Sequence, residues 1–146
     1  MLRYVPLTTN NDPDIPRLLS VYRLPEVARY ISIDEQNYFA YVTETPNVSY
    51  YKVYREESLV AATHLECFDG TLYMDLVVLP QDQRKGIGTR ILQDILRGAL
   101  PIAFDRIEVS IDESNTASRK LFQKMGFSFL SKEEELENYV YIPHTQ

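Results

Sequence analysis

A chain of 146 residues, 45% hydrophobic and 25% charged, is sized for one soluble globular domain over residues 1–146, with a core that needs no disulfide or metal staple. Its net charge of −6 and pI of about 4.9 exclude a general nucleic-acid binder, which needs surplus cations for phosphate. A single cysteine, Cys67, excludes an intrachain disulfide and fits a reducing cytoplasm, and no stretch has the apolar length of a signal peptide or a membrane span.

Leu2–Thr8 reads as a strand, followed by helical stretches over Ile15–Ile31, broken at Pro25, and Asp34–Thr43. Val48–Arg55 alternates, with Val48, Tyr50, Lys52 and Tyr54 on one face. Turns at Glu56-Glu57-Ser58 and Asp69-Gly70 lead into strands Leu59–Cys67 and Thr71–Leu79, so three antiparallel strands stand in a row. The period then changes. Ile87, Ile91, Leu92, Ile95, Leu96 and Ala99 recur at helical spacing, which predicts an amphipathic helix over Gly86–Ala99, stopped by Pro101. Ile107, Val109 and Ile111 mark another strand. Ala117, Leu121, Phe122 and Met125 mark a second helix, capped by Ser114 or Asn115 and closed by Gly126. Phe127–Ser131 and Tyr139–Ile142 form two last strands around the acidic turn Glu133-Glu134-Glu135. The class is mixed α/β with a strand–helix–strand unit at its centre.

The stretch Gln83-Arg84-Lys85-Gly86-Ile87-Gly88 carries a strand through a turn into a helix start. The first-turn N–H groups there lack intrahelical partners, and glycines let an anion approach them. Arg84 and Lys85 add cations, so the loop suits a diphosphate. A Walker loop would need lysine then serine or threonine around the last glycine, and a dinucleotide fingerprint would need glycine or alanine at Ile91. A tight turn with no ligand remains the alternative for the glycine pair alone.

The loop matches the signature Arg/Gln-x-x-Gly-x-Gly/Ala, and here the chain resembles the GNAT family of N-acetyltransferases. A second motif supports this, from Asn115-Thr116-Ala117-Ser118 to Lys124-Met125-Gly126-Phe127. The resemblance covers about Thr71–Phe129. It implies a single domain with a mixed, mostly antiparallel sheet, a splayed strand pair and helices on both faces. It also implies a bulge in the strand Leu72–Leu79. The co-substrate it implies is acetyl-CoA, with the arm against the main chain of Leu76, Val77 and Val78 and the N–H near Val78 on the thioester carbonyl. Gln83, Arg84, Lys85, Gly86, Ile87 and Gly88 would wrap the pyrophosphate, with Thr89 at its edge. Asn115 would serve the cofactor arm, the α-helix start or both.

The implied reaction acetylates a primary amine of a small molecule or peptide, with no nucleic acid, metal or membrane involved and homodimerisation open. Asp75 is the first candidate for the acceptor of the amine proton and Glu66 the second; Glu108 reads as solvated or paired. The family's tyrosine near the leaving sulfur is replaced by Phe122, which leaves Tyr139, Tyr141 or water as donor. That replacement keeps a non-catalytic acyl-CoA sensor as the rival reading. His64, His144 and Cys67 lack ligand spacing for a metal. The 11 tyrosines against no tryptophan have no explanation at this level.

Overall fold

The computed structural model describes residues 1–143. Seven strands form one sheet: β1 (Leu2–Pro6), β2 (Val48–Arg55), β3 (Ser58–Phe68), β4 (Thr71–Val78), β5 (Arg106–Asp112), β6 (Ser128–Glu133) and β7 (Leu136–Tyr141). Their spatial order is β1-β2-β3-β4-β5-β7-β6, antiparallel throughout except for the parallel β4–β5 pair. Parallel neighbours need a crossover, and the helix α4 (Ile87–Leu96) supplies it. Asp69 and Gly70 both take positive φ, the backbone a tight β3–β4 hairpin requires.

Alternation along the central strands builds two cores. On one face α4 and α5 (Thr116–Lys124) cover Val53, Leu72, Ile107 and their neighbours. On the other, α1 (Ile15–Tyr22), α2 (Pro25–Ala28) and α3 (Tyr38–Glu44) cover Tyr50, Leu59, Ala62 and Val77. Helices therefore flank both faces, as the family resemblance implies.

Three expectations need correction. The helix over Gly86–Ala99 ends at Leu96, where the Ala99 and Gly98 amides turn back to the carbonyls of Asp94 and Ile95 and close it before Pro101 acts. The helix over Asp34–Thr43 starts at Tyr38, because Asp34 spends its carboxylate on Gln36 and Asn37 in a turn. Finally, β4 carries no bulge: it pairs with β3 without a shift from Thr71 to Val78. The irregularities lie between Val53 and Tyr54 and between Phe129 and Ser131.

The splay needs no bulge. Only Thr71, Leu72 and Tyr73 of β4 pair with β5, opposite Arg106, Ile107 and Glu108. Beyond them β4 stays with β3 and β5 stays with β7, as far as Val78 and Asp112. The two strands diverge, and a cleft opens between them.

Candidate active site

The cleft has a volume of about 620 Å³, within the range of a ligand pocket. Its floor is Met74–Val78 of β4 and Val109–Asp112 of β5, and its ends are the loop before α4 and the first turns of α5. The Leu79 amide donates to Val60, so the residues of β4 alternate from that fixed point. Asp75 and Val77 turn their backbone groups to β3, whereas Leu76 and Val78 turn theirs to the open side where β5 has left. Leu76, with both its N–H and its carbonyl, and Val78, with its N–H, thus have main chain free for a ligand. Val77 lines the cleft, but its amide belongs to the β3 ladder.

Gln83, Arg84, Gly86, Ile87, Gly88 and Thr89 all line the cleft. Gly86 takes φ +77° as the residue before α4, a left-handed conformation that costs other residues more, and a Cβ there would meet open space. Gly88 has a different reason: its Cβ would stand 3.3 Å from Leu121 and 3.8 Å from Leu76, so its absence lets α4 approach the floor. No backbone bond engages the amides of Arg84, Lys85 or Gly86 among the described residues. Lys85 does not line the cleft; its ammonium turns toward the buried Asp82 carboxylate at 3.7 Å. The Gln83 side chain donates to the Val78 carbonyl at 3.2 Å and ties the loop to the end of β4.

At the opposite end Asn115 caps α5 by accepting from the Ser118 amide at 3.3 Å, and it lines the cleft as well. Phe122 is buried yet lines the cleft, held edge-to-face on Phe127 at 5.0 Å. That contact follows from the helix end. Phe127 N–H returns to the Phe122 carbonyl and Gly126 N–H to that of Gln123, with φ +96° at Gly126, which brings the two rings together.

Asp75 lies on the cleft wall at the start of the splay, and its Oδ1 is buried without a hydrogen-bond partner. Burial pushes its carboxyl up to about 6, opposed by His64 and reinforced by Glu66. Its surroundings on the β3 side are polar and aromatic. Opposite it stand His64 and, one strand further, Tyr50. Tyr38 Oη bonds His64 Nδ1 at 2.7 Å, His64 Nε2 bonds Glu66 Oε1 at 2.8 Å, and Tyr41 donates to the same oxygen at 2.6 Å. The hydroxyls of buried Tyr22 and Tyr50 bond each other at 2.7 Å. Part of the tyrosine excess thereby acquires a location: one polar aromatic wall behind Asp75.

Glu66 is not a cleft residue. These bonds hold its carboxyl below its usual range against the effect of burial. Glu108 is paired with Arg106. Tyr139 is buried and donates to Glu137 at 2.7 Å, and Tyr141 packs on Phe127; neither lines the cleft. The tyrosine that does is Tyr30, which follows α2 and meets Ser114 at 3.2 Å across the mouth. Periodicity could not find it, because α2 is one short turn. His144 lies outside the described residues, and among those described no group of three metal-ligating side chains occurs.

The family model described as the acetyltransferase (GNAT) family matches residues 15–127. The uncharacterized N-acetyltransferase YobR of Bacillus subtilis is 28% identical over 88 residues, covering 60% of this chain, and the match spans 36% of YobR's length. Among solved structures, Campylobacter jejuni N-acetyltransferase PseH in complex with acetyl coenzyme A superposes with a TM-score of 0.79 at 13% identity, over 99% of this chain and 100% of that one. Spermidine N-acetyltransferase from Vibrio cholerae, in complex with CoA and spermine, gives 0.77 at 13% identity over 97% of this chain and 94% of that one. These likenesses agree on the fold, and the family match covers most of the sequence: the chain belongs to the acetyltransferase (GNAT) family.

Proposed function

We propose that this chain is an N-acetyltransferase that transfers the acetyl group of acetyl-CoA to a primary amine. One observation carries the reading. The unpaired main chain of Leu76 and the free N–H of Val78 lie between the glycine loop and Asp75, whose Oδ1 is buried and unpartnered. The loop amides bind the pyrophosphate, and the free edge of β4 pairs with the pantetheine arm. The Val78 N–H polarises the thioester carbonyl and stabilises the oxyanion as the amine attacks. The new C–N bond forms, the C–S bond breaks, and the amine proton passes to Asp75, directly or through water. The leaving thiolate is a weak base and takes its proton from water or from the carboxyl of Asp75 that the amine has just protonated, so Phe122 in place of tyrosine is no obstacle.

Asp75 has the property this step asks of it. A carboxyl held near 6 is ionised at neutral pH yet more basic than an exposed one. Asp75→Asn should lower kcat by about 10²-fold at pH 7, with the deficit shrinking as pH rises and free amine accumulates. The rising limb near pH 6 in the wild-type rate should vanish with it; a limb that survives the substitution assigns the proton elsewhere.

Cofactor binding has its own test. Gly86→Asp forces a side chain into left-handed backbone and adds a negative charge at the mouth of the phosphate loop. Calorimetry should show acetyl-CoA affinity reduced at least tenfold, and an unchanged affinity rejects the loop assignment. The sensor reading is favoured by the lack of a tyrosine at Phe122. Thiol release with a panel of amines separates the two, since a sensor binds acetyl-CoA without amine-dependent turnover.

A further inference from the structure

Asp75 shares the face of β4 that packs, through Val77, on the cluster holding Tyr22, Tyr38 and Tyr50, yet no hydroxyl donates to its buried Oδ1. Its charge reaches Tyr22, Tyr38 and Tyr50, all pushed upward chiefly by their own burial and further by Asp75. Among the described residues Oδ1 nevertheless has no partner. A buried carboxylate beside hydroxyls ordinarily collects their protons, and each bond so formed lowers its basicity.

Counting protons explains the exception. Glu66 is a carboxylate, an acceptor only, so the 2.8 Å contact places an imidazole proton on His64 Nε2. In the singly protonated ring Nδ1 is a lone pair, and at the 2.7 Å contact Tyr38 donates to it. A hydroxyl has one proton, so Tyr38 has none left for Asp75. The Tyr22 and Tyr50 hydroxyls bond each other at 2.7 Å, so one of their two protons is spent within that pair. The protons of this relay run Tyr38 to His64 to Glu66, directed past Asp75. The charged and titratable groups facing Asp75 are these: Tyr22 of α1, Tyr38 of α3, Tyr50 of β2, and His64 and Glu66 of β3. Lys52, one row along β2, is occupied by Asp12 and Asp14.

We propose that His64 is a positioning residue: by accepting the Tyr38 proton at Nδ1 it keeps Tyr38 from donating to Asp75 and so preserves the carboxylate as a base. Its catalytic consequence rests on the reading of Asp75 given above, but the hydrogen-bond claim does not. An alternative role for His64, as a nearby positive charge, predicts the opposite sign. Loss of that charge would raise the Asp75 midpoint, whereas freeing the Tyr38 hydroxyl lowers it.

The test uses the whole chain, with the Asp75 carboxyl titrated by carbon-13 resonance, assigned by its absence in Asp75→Asn. The pH profile of kcat/KM is measured in parallel. His64→Leu offers Tyr38 no acceptor and should lower the midpoint by about one pH unit. His64→Asn places an amide oxygen near the Nδ1 position and should keep it. Tyr38→Phe should leave it at or above the wild-type value, and Tyr38→Phe combined with His64→Leu should restore it. A midpoint unmoved or raised in His64→Leu, or unrestored in the double variant, overturns the proposal. Should His64→Leu fail to fold, a lowered midpoint in Tyr38→Phe overturns it equally. If the midpoint moves while the rate profile does not, positioning stands and Asp75 is not the base. If the rate limb depends on Asp75 but His64→Leu leaves the midpoint in place, the base stands and positioning falls.

Discussion

At Phe122 two demands meet in one side chain. The ring closes the core under α5 and walls the cleft, so its truncation should be felt twice. Phe122→Ala should cost about 3–5 kcal/mol by the cavity left beside Phe127, read from urea unfolding. Phe122→Leu should retain most of the activity, because the wall stays apolar. Phe122→Tyr should gain little, since protonation of the thiolate is easy; a large gain without tighter cofactor binding would favour the sensor reading. Asp75 carries a cost of the opposite kind. Its folded value near 6 lies above the ordinary 3.8, so folding favours its protonated form. Its burial therefore weakens the fold as pH rises from about 4 to 6. The stability of Asp75→Asn relative to wild type should improve by about 2–3 kcal/mol across that window, as measured by urea unfolding at each pH. Asp75 could be singled out from the sequence as an acid in a central strand. Its polar setting could not, because the partners come from α1, α3 and β2, far away along the chain.

At the scale of elements, legibility followed locality. The Asp69-Gly70 hairpin, the glycine loop and the end of α5 at Gly126 each rest on contacts a few residues apart, and all three stand where the sequence reading puts them. The splay was legible only through family resemblance, and its cause is a pairing that stops after Tyr73, which no local pattern encodes. α2 was blurred into a longer helix because it is four residues with no buried side chain, and with it went Tyr30. Gly88 reads from the sequence as a phosphate glycine, and in the structure its missing Cβ lets α4 pack on Leu121 and Leu76. Gly88→Val should force α4 from Leu121 and Leu76, lowering stability and acetyl-CoA affinity together. Asn115→Ala should lose about 1 kcal/mol with its cap, and Asn115→Ser should regain it, as thermal unfolding would show. Affinity for acetyl-CoA that stays low in Asn115→Ser would give the side chain a second task at the cleft.

Across the whole molecule the sheet separates two jobs. α4 and α5 pack on one face, the hydroxyl wall of α1, α3, β2 and β3 packs on the other, and β4 serves both through alternate residues. That wall also gives the protein an optical property. With no tryptophan in the chain, its near-ultraviolet signal belongs chiefly to tyrosine. Tyr22, Tyr38 and Tyr50 hold their protons in the folded state well past the ordinary phenol range, because burial disfavours the phenolate. They therefore support the fold below about pH 10, the value an unfolded tyrosine takes, and that support drains away as pH climbs above it. Phenolate absorbance should consequently rise in two stages on alkaline titration, the second coinciding with the loss of ellipticity. The protein thus carries a built-in colour change that reports its own unfolding, without a label.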